Sequence, residues 1–148
     1  MFGRRTYVGR DFFHVSTAEL DGKILHPRVP QNYMVDNGFE NNKVARVSFG
    51  PSIRQCLLTL PFKREGMRLF VYKPAKDVLF TRPNKHDVPD TGITEEIWVL
   101  ESVKMKKVGI IELTEPEEEG HDYKYGKPFI KQKATLYGYN YKYVEKYD

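Results

Sequence analysis

The chain has a single cysteine, Cys56, in 148 residues, so no disulfide can form within it. That usage fits a reducing compartment, and a cytoplasmic setting is expected. No apolar run approaches the roughly 18 residues that a membrane-spanning helix needs, so no membrane partner is expected. The opening stretch "MFGRRTYVGRDFF" has arginines but no apolar segment after them, which argues against a secretory signal. The histidines His14, His26, His86 and His121 never fall at HxH or HxxxH spacing, and one thiol cannot complete a zinc site, so no metal is expected. Neither GxxxxGK nor GxGxxG occurs, which removes the glycine-rich phosphate loops. Without internal repeats or a long linker, residues 1–148 read as one domain.

Hydrophobic residues make up 40% of the chain and aromatics 14%, enough to bury a core without covalent staples. The formal net charge of +4 favours anionic ligands such as nucleotides or nucleic acid. The cations are not gathered into the basic stripe that makes nucleic acid the default partner. Residues 114–120, "TEPEEEG", form an acidic loop, and a Lys- and Tyr-rich segment follows it.

Glycine and proline punctuate the chain into short pieces. "DFFHVS" reads as the first strand. Residues 21–45 read mainly as loop, since they hold two prolines, an Asn-Gly and an Asn pair. A loop of that size in a small domain serves as a lid or a binding element. "RVSFG" (46–50) reads as a second strand, with Val47 and Phe49 on one face and Ser48 on the other. "PSIRQCLLTLPF" (51–62) is the main helix: Ser52 caps it, Ile53, Cys56, Leu57 and Leu60 recur at helical spacing, and Pro61 ends it. "MRLFVYKP" (67–74) is a strand with Leu69 and Val71 inward, and a short "DVLF" segment follows. "TEEIWVLESV" (94–103) reads as the strongest strand, with "KKVGIIEL" (106–113) folding back on it as a hairpin. The chain closes on an alternating strand at 133–147. The expected fold class is α+β, mostly antiparallel split β-sheets with one main helix.

Cys56 lies on the apolar face of the expected helix, where a thiol is a small buried hydrophobe rather than a nucleophile. Three polar residues interrupt strands: His14, Ser48 and Glu96. Taken singly, each has an ordinary reading as a solvated or hydrogen-bonded strand residue. In the tail, Tyr137, Tyr139, Tyr141 and Tyr143 alternate, with Lys142 between them. Aromatics interleaved with lysine can stack bases and hold phosphates, but a half-buried strand covering a core has the same pattern.

Taken together, "FFHVST", "RVSFGPSIRQCL" and "TEEIWVL" resemble the ADP-ribosyltransferase-like superfamily, in its small stand-alone microbial or phage form. There a first strand carries His or Arg followed by a small or hydroxyl residue. A second strand carries Ser or Tyr and runs into a helix, and a later strand carries Glu ahead of apolar residues. The resemblance spans about residues 11–103. It implies an ADP-ribosyltransferase-like fold and an NAD-dependent transferase, with NAD as substrate, no metal, and a protein or nucleic-acid acceptor. It assigns Glu96 as the catalytic carboxylate, Ser48 as its support and His14 as the ribose-binding group. Backbone at Val15 and Ser16 would meet the nicotinamide, where the histidine branch of the family has Gly in place of Val15. Ser48 stands where that branch often has Tyr, so Phe49 or Tyr72 would have to supply a stacking ring. Arg28 and Arg46 are the candidates for the pyrophosphate, because guanidinium forks suit phosphate oxygens. Glu95 is a neighbouring carboxylate that period two puts on the opposite face from Glu96. The alternative expectation is a non-catalytic nucleotide- or nucleic-acid-binding module on the same fold.

Overall fold

Alternation and β-branched content place strands where the sequence suggests, but the chain distributes them between two sheets. The computed structural model describes residues 5–60, 62–84, 86–87, 94–116 and 139–147. One sheet holds β1 (Thr6–Gly9), β4 (Val47–Phe49), β6 (Val78–Thr81) and β7 (Ile97–Val99), in the order β1-β6-β7-β4. The other holds β2 (His14–Ser16), β3 (Ile24–Leu25), β5 (Arg68–Pro74), β8 (Val103–Pro116) and β9 (Tyr139–Lys146). Its order is β2-β5-β8-β3, and β9 also pairs with β8. Among the described residues these pairings are all antiparallel. With the short helices α1 (Tyr33–Asp36) and α2 (Ile53–Leu58), the fold is β-rich and α+β-like.

The apolar side chains gather in two cores. Phe12, Val47, Phe49, Val78, Ile97 and Val99 build one under the first sheet, completed by Tyr72, Val103 and Met105 of the second. Val15, Leu69, Val71 and Ile111 build a second core, closed by Ile53, Cys56 and Leu57 of α2. A single backbone stitch joins β2 to β4: Phe13 N–H donates to Gly50 O at 2.8 Å and Gly50 N–H to Phe13 O at 2.7 Å. The chain turns directly from β4 into α2, with Ser52 Oγ accepting from Gln55 N–H at the N-cap. The helix stops at Leu58, before the proline expected to end it. Thr59 and Leu60 N–H turn back to Cys56 O and Leu57 O, and Lys63 Nζ donates to Leu57 O at 2.7 Å. These bonds satisfy the last carbonyls early.

Three expectations change. The first strand is β1, not "DFFHVS", so His14 opens the second strand. Residues 21–45 contain β3 and α1, the latter capped by Asn32 Oδ1, which accepts from Val35 N–H. The expected strand 94–103 is only Ile97–Val99, and it forms no hairpin with "KKVGIIEL". The reason is crowding: β7 has β6 on one edge and β4 on the other, so neither edge is open to β8. Leu100 N–H bonds to Leu79 O and the Glu101 carboxylate accepts from Leu79 N–H, after which the chain crosses into the second sheet.

In the tail, Tyr139, Tyr141 and Tyr143 pack on the second core, as an amphipathic strand does. The pairing with β8 shifts register between Ile110 and Ile111 and between Leu113 and Pro116. Tyr137 and the rest of 117–138 lie outside the described residues. At Gly109 of β8, Tyr143 and the Glu145 carbonyl of β9 fill the space that a Cβ would take.

Candidate functional site

His14, Ser48 and Glu96 come from three strands or strand ends that the topology draws to one place. β4 and β7 are paired with Ser48 opposite Trp98 and Phe49 opposite Ile97. Their inner face carries Val47, Phe49, Ile97 and Val99 into the first core. Alternation therefore turns Ser48, Glu96 and Trp98 to the other face. There Ser48 Oγ donates to Glu96 Oε1 at 2.8 Å, and Trp98 Nε1–H donates to the same oxygen at 2.9 Å. Among the described residues no donor reaches Glu96 Oε2, so one oxygen is fixed and the other is presented. The stitch at Phe13 and Gly50 brings β2 alongside, and His14 Nδ1 meets the Ser48 carbonyl at 3.0 Å.

These groups line a cleft of about 1020 Å³. Its walls include Phe13, Val15, Ser16, Leu25, Arg28 and Gln55, and Thr94 and Cys56 lie deeper. A carbonyl oxygen only accepts, so Nδ1 of His14 carries the proton and Nε2 is left as an acceptor. Burial pushes the His14 pKa below the ordinary imidazole value, and the bond to the Ser48 carbonyl opposes that shift without cancelling it. The ring is thus neutral at pH 7. Because the folded pKa is depressed, the stabilising contribution is present above the unfolded value of about 6.5 and is lost as pH falls through the folded one. We expect the wild-type protein to lose stability relative to His14→Gln between pH 7 and pH 5 in thermal unfolding. A difference that stays constant with pH would contradict a buried neutral ring.

Backbone direction matters as much as side chains here. Phe13 spends its N–H and C=O on Gly50. Two residues on, Val15 directs its own N–H and C=O to the same side of β2, the side away from β5. The Val15 side chain is in the second core. The branched Val15 side chain therefore points away from the face that His14 and Ser16 share, and the backbone edge borders the cleft. Ser16 Oγ accepts from Ala18 N–H at 3.0 Å and shapes the turn that follows.

The remaining sequence candidates are placed differently from one another. Arg28 is exposed at the cleft wall, its backbone paired with that of Arg46. Arg46 is only 2% exposed: its Nη1 donates to Asn41 O at 2.9 Å and Val44 O at 3.0 Å, and its guanidinium lies 4.0 Å over the Trp98 ring. Phe49 is in the first core with its ring edge-on to His14. Tyr72 is fully buried beside His14 in the paired strand; its hydroxyl donates to Ala18 O and accepts from Leu20 N–H, both at 2.7 Å. Phe49 lines the cleft with almost none of its ring exposed, and Tyr72 does not line it. Cys56 donates its thiol proton to Phe13 O at 3.2 Å, and burial pushes its pKa up to about 12, so it is no nucleophile at neutral pH.

Three further residues make contacts at the site that the sequence alone does not supply. Trp98 looks like strand interior, yet its N–H is a ligand of the carboxylate; its position two residues after Glu96 was the available signal. Glu95 takes a left-handed backbone, φ 49°, and its carboxylate accepts from Gln55 Nε2 of α2 at 2.5 Å. A non-glycine residue pays about 1–2 kcal/mol there, and the bond to Gln55 holds the corner from which Glu96 emerges. His26 Nδ1 meets Ser102 Oγ at 2.6 Å, pinning the cleft rim to the β7–β8 connection. Among the described residues no group of three His, Cys, Asp or Glu could hold a metal ion, and no helix is long and apolar enough to cross a membrane.

No family model, curated protein or solved structure matches this chain.

Proposed function

We propose that this cleft binds NAD and that the protein is an ADP-ribosyltransferase-like enzyme that breaks the bond between nicotinamide and ribose. The observation that carries the reading is the Ser48–Glu96 hydrogen bond with His14 held on the Ser48 carbonyl, three groups from separate strands facing one cleft. The β2 edge at Val15 offers both a donor and an acceptor, which is what a primary carboxamide requires. His14 Nε2 accepts from a ribose hydroxyl, and Glu96 Oε2 accepts from another. When the C1′–N bond breaks, its electron pair goes to the pyridinium nitrogen and neutralises it. The ribosyl cation left behind resembles the oxocarbenium species of glycoside hydrolysis, and the Glu96 carboxylate stabilises it until an acceptor nucleophile bonds to C1′. Arg28 is the cation for the pyrophosphate, in preference to Arg46.

A second reading is a non-catalytic nucleotide-binding module. Its support is the burial of Phe49 and Tyr72, which leaves little ring surface for a nicotinamide to stack on. Calorimetric titration with NAD and ADP-ribose, run beside an assay for released nicotinamide, separates the two. Binding with nicotinamide release is expected; binding without release across many acceptors favours the module, and no binding at all sinks both.

A further inference from the structure

We infer that Trp98 is a positioning residue for Glu96, and that Arg46 holds Trp98 in place rather than binding phosphate. This deepens the proposed function and rests on it for its kinetic consequence, though not for its geometric one. Trp98 is fully buried, and its indole N–H is spent on Glu96 Oε1 beside the Ser48 hydroxyl. Two donors on one oxygen fix the plane of a carboxylate, where one donor leaves it free to swing. The bonds are charge-assisted, since the acceptor is an anion.

The ring that carries this donor is itself held from above. The Arg46 guanidinium lies over it at 4.0 Å, the geometry of a cation–π contact. Arg46 is in turn tied to the Asn41 and Val44 carbonyls. Asn41 is fixed as well: its N–H donates to Asp87 O at 2.7 Å, its amide Nδ2 to Asp87 Oδ1 at 3.0 Å, and its Oδ1 accepts from Lys43 and Val44 N–H. A continuous chain of contacts therefore runs from Asp87 through Asn41, Arg46 and Trp98 to Glu96. Lysine at position 46 would keep the charge but lose the planar surface that stacks on indole.

Trp98 is the only tryptophan, so its indole N–H gives one unambiguous NMR cross-peak. In the wild-type protein we expect that peak downfield and slow to exchange. Glu96→Gln, which keeps a weaker oxygen acceptor, should move it part of the way upfield, and Glu96→Ala further, with faster exchange. Trp98→Phe should lower kcat for NAD cleavage by about tenfold to a hundredfold, the scale of a hydrogen bond to a charged group, with KM nearly unchanged. Arg46→Lys should lower kcat in the same manner; a rise in KM with kcat intact would mean that Arg46 binds phosphate after all. An indole peak that ignores both Glu96 substitutions overturns the inference whether or not NAD is cleaved. So does a Trp98→Phe protein whose loss of turnover matches only its unfolded fraction. Failure of the wild-type protein to cleave NAD while the indole peak responds to Glu96 rejects the catalytic reading and keeps the positioning contact.

Discussion

Glu96→Gln is expected to cut NAD cleavage by about a thousandfold, comparable to losing a preorganised electrostatic partner of a transition state, roughly 4 kcal/mol. The substitution removes the negative charge and little else. A glutamine oxygen still accepts from Ser48 Oγ and Trp98 Nε1, so both buried donors keep a partner and the thermal midpoint should stay close to that of the wild-type protein. NAD affinity should fall far less than turnover, because the charge is needed most when the ribose becomes cationic. Steady-state nicotinamide release and calorimetry on the same preparation test this. Turnover retained at more than a tenth of wild type would remove Glu96 from the role assigned to it.

Gly109→Ala carries the largest expected cost to stability. A Cβ at that position would stand 2.7 Å from the Glu145 carbonyl oxygen and 2.7 Å from Tyr143 Cε1. The tyrosine ring could rotate away, but the carbonyl belongs to β9 and moves only with the strand. Overpacking of this kind costs about 3 kcal/mol. Reduced freedom of the unfolded chain returns up to about 1 kcal/mol. The net loss of about 2 kcal/mol corresponds to a fall of roughly 4–8 °C in thermal midpoint. Urea unfolding of the variant should give the same loss, and a change under about 0.5 kcal/mol would show that β9 does not sit on β8 as described. NAD binding should survive, since Gly109 is not among the residues lining the cleft.

The parts of the fold that could be read in the sequence are those governed by local physics. Ser52 as a cap, the inward pair Leu69 and Val71, and the alternation of Val47, Ser48 and Phe49 all follow from neighbours a few residues apart. Pairing does not. "IWVL" and "KKVGIIEL" look like two arms of a hairpin, and only the occupation of both edges of β7 sends β8 to the other sheet. The site was legible as residue types, since His14, Ser48 and Glu96 were all visible as polar interruptions. What the sequence could not supply was the set of long-range contacts that gives the others their tasks. Arg46 reads as a cation for phosphate, while the fold sets its guanidinium between loop carbonyls and an indole. Tyr72 reads as a stacking ring, while its hydroxyl holds the 18–20 turn. Val15 looked like an obstacle because its identity could be read but its direction could not.

β5 and β8 each pass through both cores. β5 places Tyr72 in the first and Leu69 and Val71 in the second, while β8 contributes Val103 and Met105 to one and Ile111 and Leu113 to the other. The two sheets are therefore not separate plates on a hinge, because opening one against the other would expose a core in which Tyr72, Val103 and Met105 of the second sheet pack with Val78, Ile97 and Val99 of the first. The same threading makes the two cores one cooperative unit, so amides in β5 and β8 should exchange with solvent together, at the free energy of global unfolding.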